Sequence, residues 1–70
     1  MKTKIKTNGR YFTRLREKQN LTIKELSLKT GISESTLSNI ENDKVIPRLR
    51  TLLKLVKFYN ITFKELFENF

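Results

Sequence analysis

Leu21-Thr22-Ile23-Lys24-Glu25-Leu26-Ser27-Leu28-Lys29-Thr30-Gly31-Ile32-Ser33-Glu34-Ser35-Thr36-Leu37-Ser38-Asn39-Ile40-Glu41-Asn42 is the stretch from which the fold can be read. Thr22 with Glu25 three residues on forms a capping box and opens a helix. Leu26, Ser27 and Thr30 give that helix an inner face, with Ile23 beside them. Gly31 follows its last turn, where a left-handed residue ends a helix at no steric cost. Ile32 then enters the core and Ser33 caps the next helix. There, Leu37 and Ile40 form the apolar pair, with Glu41 on the same side. Glu34, Ser35, Ser38, Asn39 and Asn42 are all short or polar. Two helices crossing steeply around Leu26, Ile32, Leu37 and Ile40 satisfy this pattern, and the small Ser27 lets them approach closely.

Upstream, the spacing of Phe12, Leu15 and Arg16 predicts a helix from about Arg10 to Gln19. Arg16 falls on its inner face and needs a partner, because a buried lone charge is costly. Downstream, Pro47 suits the first turn of a fourth helix reaching Tyr59, with Leu49, Leu52, Leu53, Val56 and Tyr59 as its apolar stripe. Thr62 and Glu65 make a second capping box, opening a last helix with Phe63, Leu66, Phe67 and Phe70. Residues 1–9, rich in Lys and Thr around a single Ile5, read as a basic flexible arm. The expected organisation is that arm followed by one all-α domain of five helices over residues 10–70.

Composition narrows the function. A chain of 70 residues supports one small core, and the absence of Cys and His removes disulfides and the usual zinc frameworks. No cofactor, metal or small-molecule ligand is implied. Without His, Cys, a phosphate-binding Gly loop or a paired-acid site, an enzyme is not expected either. No apolar run approaches a membrane span, so a soluble cytoplasmic protein without membrane contact is the expectation.

The net charge of +8 is unevenly placed. Met1 to Asn20 carries seven basic residues against Glu17, a net +6, and Lys44 to Lys57 has five basic residues and no acid. Between them, Leu21 to Asp43 is weakly acidic at −2. Basic shoulders around a near-neutral centre suit a polyanion, above all double-stranded DNA, gripped on either side of a reading element.

These residues resemble a known family. Leu21-Thr22, Glu25-Leu26, Lys29 to Ser33 and Ser35 to Asn42, followed by Pro47, Leu49, Thr51-Leu52-Leu53 and Phe63 to Phe67, are similar to the helix-turn-helix DNA-binding domain of the Cro/C1 phage-repressor type, the Xre family. The resemblance covers roughly Arg10 to Phe67. It implies a compact five-helix, lambda-repressor-like bundle in which helices 2 and 3 form the motif and helix 3 reads DNA. It also implies that Arg16 and Glu41 form a partly buried ion pair.

Base reading then falls to Glu34, Ser35, Ser38 and Asn39, since the N-terminal half of such a helix enters the major groove. Asn39 can bond adenine N6 and N7, and Glu34 can accept from a cytosine amino group. Phosphate contacts fall to Arg10, Arg14, Thr22, Lys24, Asn42, Lys44 and Arg48. Three residues depart from the family pattern. Ile23 replaces a phosphate-touching Gln, Asp43 replaces the usual Gly after the reader helix, and Leu28 is apolar on an outward face. Useful specificity suggests a homodimer on two half-sites, with Phe63, Leu66, Phe67 and Phe70 as its contact. The expected function is a transcriptional repressor acting at an operator. The alternative is a protein-interaction module, an adaptor or antitoxin, with DNA binding secondary.

Overall fold

The computed structural model describes residues 6–70. Five helices follow in order: α1 (Arg10–Lys18), α2 (Ile23–Thr30), α3 (Glu34–Glu41), α4 (Leu49–Tyr59) and α5 (Phe63–Asn69), with no strand among the described residues. The helix starts obey local chemistry. Thr22 accepts from the Glu25 amide while Glu25 bonds back to the Thr22 amide, a complete capping box. Ser33 and Thr62 accept from the third residue of α3 and α5 in the same way. Gly31 ends α2 with φ +75°, and Asn20, Asp43 and Asn60 supply the other left-handed residues that stop α1, α3 and α4.

The core consists of Phe12, Leu26, Ile32, Leu37, Ile40, Leu55, Val56, Tyr59 and Leu66. Burying each large apolar side chain contributes about 1.5–3 kcal/mol. Phe12 sits at its aromatic centre, its ring centroid 4.9 Å from that of Phe70, edge to face, and 6.3 Å from that of Tyr59.

The structure corrects four expectations. Pro47 is buried ahead of α4 rather than inside it, and Arg48 occupies the N-cap. The inner stripe of α4 is rotated towards Leu55, leaving Leu49 and Leu53 exposed, because α4 packs through Leu55, Val56 and Tyr59. Leu66 is only 1% exposed and fills the core, so it is not available to a second chain. Lastly, Thr7 to Gly9 belong to the folded body and Lys6 is exposed, whereas residues 1–5 of the expected arm lie outside the described residues.

The last correction has a definite physical cause. Asn8 donates its amide to the Phe70 carbonyl at 2.7 Å, and Gly9 donates to Asp43 Oδ1 at 2.7 Å. Thr7 donates its hydroxyl to that same oxygen at 2.8 Å. Gly9 presses against the exit of α3. A Cβ there would lie 2.4 Å from the Ile40 carbonyl oxygen and 2.5 Å from that of Glu41, both rigid backbone. Gly9→Ala is therefore expected to destabilise the fold by about 3 kcal/mol. Urea unfolding measures it, and a wild-type midpoint would contradict the close approach.

Candidate nucleic-acid interface

α3 lies with one side in the core and the other in solvent. Leu37, Ile40 and Glu41 are buried, while Ser35, Ser38, Asn39 and Asn42 follow the i, i+3, i+4, i+7 spacing of the opposite face. Ser35 and Asn42 are exposed and Ser38 and Asn39 half-buried. Glu34 is exposed in the first turn, where the helix dipole favours an acid. The structure thus brings all four expected base readers to the outer and leading edge of a single helix.

That helix is fastened at its far end by a buried cluster. Arg16 Nε donates to Glu41 Oε2 at 2.9 Å and Arg16 Nη2 to Oε1 at 3.0 Å, a bidentate pair. Thr13 adds its hydroxyl to Oε1 at 2.9 Å, and Arg16 Nη1 reaches the Leu21 carbonyl at 2.8 Å. The hydrogen bonds to Glu41 hold the Arg16 guanidinium above its ordinary pKa despite desolvation. Thr13 is a member that the sequence reading missed, although its i, i+3 spacing from Arg16 puts it on the same inner face. Tyr59 closes the cluster from α4, its hydroxyl buried with no hydrogen-bond partner among the described residues. Burial first, and the Glu41 charge second, push that phenol up to about 12.

Asp43 secures the exit of α3. The Lys44 and Asp43 amides return to the Asn39 and Ile40 carbonyls, closing the helix with Asp43 at φ +59°. Its departure from Gly has a compensation, since the same carboxylate receives the Gly9 amide and Thr7 hydroxyl.

The residues expected to contact phosphate lie on α1, at the start of α2, and at and beyond the end of α3. Lys24 and Thr22 stand exposed at the start of α2, and Lys44 and Arg48 are exposed in the segment leaving α3. Arg10 follows Gly9 and so lies beside the α3 exit, with exposed Arg14 one turn further along α1. Asn42 instead donates to the Ser38 carbonyl of its own helix at 2.8 Å. Beside α3, a cleft of about 450 Å³ is lined by Thr36, Val45, Ile46, Pro47, Arg48 and Thr51. Ile23 is half-buried against the core, which accounts for an apolar residue there, whereas Leu28 is exposed. Among the described residues, no helix is long and apolar enough to cross a membrane.

A short turn between two helices, with the second exposing a polar face between basic flanks, defines a helix-turn-helix protein. The helix-turn-helix family model of the Cro/C1 type matches residues 13–66, and the chain belongs to that family. It is 36% identical over 59 residues to the HTH-type transcriptional regulator PuuR of Escherichia coli, and equally to that of Shigella flexneri. The match takes in 84% of this chain but 32% of PuuR, so the chain spans about a third of those relatives. An uncharacterized HTH-type transcriptional regulator of Methanocaldococcus jannaschii is 34% identical over 67 residues, covering 96% of this chain and 91% of that one. No solved structure matches the chain significantly. The relatives it matches are named as transcriptional regulators, and what the chain shares with them is the helix-turn-helix domain.

Two outcomes follow from the cluster. Glu41→Ala strands Arg16 in the interior and should cost about 3–5 kcal/mol, read as a lowered melting temperature. The phenol of Tyr59 is raised in the folded state, so its contribution is intact below about 10, its ordinary value, and is lost as pH climbs towards about 12. Wild type should therefore lose stability between those values more steeply than Tyr59→Phe. Parallel denaturation curves for the two proteins would contradict this.

Proposed function

We propose that this protein represses transcription by binding an operator as a dimer, with α3 in the major groove of each half-site. The observation that carries this reading is the outer stripe of α3. Ser35, Ser38, Asn39 and Asn42 form an uncharged hydrogen-bonding face with no role in the core. Glu34, Ser35, Ser38 and Asn39 read base edges. Asn39 is the principal discriminator through adenine N6 and N7. Arg10, Arg14, Thr22, Lys24, Lys44 and Arg48 hold phosphates on either side, setting register without reading sequence. Asn42 stands among them, although its amide is already engaged within α3.

The two-fold contact forms through α5. Phe63 and Phe67 stack at 6.1 Å and are 44% and 79% exposed, more aromatic surface than intramolecular packing requires. Phe70 takes a smaller part than the sequence suggests, since its ring packs on Phe12, and Leu66 takes none. Two copies joined there would present their reader helices to half-sites roughly 34 Å apart. The name of the PuuR relatives agrees with transcription regulation.

Gel shifts over a salt series test the reading. The log of the binding constant for a selected site should fall linearly and steeply with log salt, and Asn39→Ala should lose about 1–3 kcal/mol of discrimination at one base pair. Equal affinity for random and selected duplexes would instead favour a protein-interaction module. Phe67→Ala should weaken dimer formation in sedimentation without lowering the melting temperature of the chain. An unchanged sedimentation profile would remove α5 from the contact.

A further inference from the structure

We propose that Lys6 is a further contact to the DNA phosphates, and that Asp43 is the positioning residue that holds it at the exit of α3. This rests on the proposed binding of duplex DNA through α3. Residues 7–9 are fixed on two sides. Thr7 donates its hydroxyl to Asp43 Oδ1 at 2.8 Å, and Gly9 donates its amide to the same oxygen at 2.7 Å. Between them, Asn8 donates its amide to the Phe70 carbonyl at 2.7 Å and Nδ2 to the Asn69 carbonyl at 3.2 Å. Four hydrogen bonds over three residues set one path for the chain across the end of α3. Lys6 directly precedes that path, its Cα about 3.8 Å from that of Thr7, and is exposed.

Arg10 follows Gly9 and Lys44 follows Asp43, and both are exposed. Three cations are thus tethered to one corner of the molecule through a single carboxylate. On electrostatic grounds alone that carboxylate is misplaced, because it repels the phosphates that its neighbours attract. It forms no salt bridge with any of the three; among the described residues the ion pair is that of Arg16 with Glu41. Its partners are a hydroxyl and an amide of residues 7–9. Asp43 therefore acts by geometry: its charge opposes the DNA backbone, but its oxygen docks the segment that carries Lys6.

Two substitutions separate the charge of Asp43 from its hydrogen bonds. Asp43→Asn and Asp43→Gly remove the same charge, and both residues tolerate the left-handed backbone at this position. Only asparagine keeps an oxygen for Thr7 and Gly9. Gel shifts over a salt series, on selected and random duplexes, read the difference. Asp43→Asn should bind at least as tightly as wild type. Asp43→Gly should show a slope of log K against log salt shallower by about 1 than Asp43→Asn, the loss of one phosphate contact. Lys6→Ala should lower the slope by the same amount in wild type and in Asp43→Asn, and should change nothing in Asp43→Gly. The ratio of selected to random binding should hold throughout, since a phosphate contact reads no sequence. Circular dichroism melts accompany each variant. Thr7→Val, which keeps the Gly9 bond, should lower the slope in the same direction and replaces Asp43→Gly if that variant is poorly folded. Equal slopes for Asp43→Asn and Asp43→Gly, or a Lys6→Ala effect that persists in Asp43→Gly, would overturn the positioning role. A fall in the selected-to-random ratio for Asp43→Gly would make Asp43 a support of α3 and overturn it too. An unchanged slope for Lys6→Ala would remove the contact itself. Wild type without salt-dependent binding to any duplex would instead overturn the DNA reading on which the proposal rests.

Discussion

The bidentate pair between Arg16 and Glu41 is the interaction on which the rest of this small structure depends. Glu41 is 8% exposed, and a carboxylate that deep would be strongly destabilising unless nearly every lone pair were engaged. Three donors converge on it, two from Arg16 and one from Thr13. The guanidinium then uses a remaining donor on the Leu21 carbonyl, at the link between α1 and α2. A single charge pair therefore ties α1, the approach to α2 and the end of α3. Apolar side chains could fill the same volume at similar or better stability. They could not prescribe the azimuth of α3, because hydrophobic contact is non-directional and a two-point hydrogen bond is not.

The exit of α3 repeats the idea with backbone groups. Asp43 accepts from Gly9 and Thr7, while Asn8 reaches across to the Phe70 carbonyl. Residues 7–9 thereby form a strap from the end of α5 to the end of α3. Gly9 is required there for the room its missing side chain leaves, and its φ of −59° is one any residue can adopt. With Glu41 and Asp43 both facing α1 and its approach, the opposite stripe of α3 is left free of structural duty. The side chains proposed to read bases are those the fold does not need.

Local signals in the sequence carried most of the helix boundaries. Thr22 with Glu25, Ser33, Gly31 and Thr62 with Glu65 act within one helical turn, so their meaning does not depend on the rest of the chain. The inward Arg16 was legible for a similar reason, since a charge on an apolar face demands a partner. The readings that failed required knowledge of distant neighbours. Gly9 reads as part of a flexible arm because the α3 carbonyls it meets are more than thirty positions away. The stripe of α4 was misread because its run of leucines offers two nearly equivalent faces, and only packing chooses Leu55 over Leu49 and Leu53. Leu66 and Phe67 are adjacent and both apolar, yet one is buried and the other is 79% exposed. Composition cannot separate such a pair.

The charge distribution acquires a purpose once α3 is placed. The reader helix carries Glu34 and Glu41 and no basic residue, so it has no electrostatic attraction of its own for a phosphate backbone. In the proposed function attraction comes from Arg10, Arg14, Lys24, Lys44 and Arg48, which stand on other elements. Coulombic attraction at that range is nearly indifferent to sequence, whereas a hydroxyl or amide at a base edge has little energy except at the right angle and distance. Separating the two functions lets each obey its own physics, but only if the discriminating groups are held still relative to the attracting ones. Arg16 and Glu41 at one point, and Asp43 and Gly9 at another, supply that rigidity. They join α3 to the element that bears Arg10 and Arg14, so in the proposed function a phosphate grip on α1 would orient the reading face.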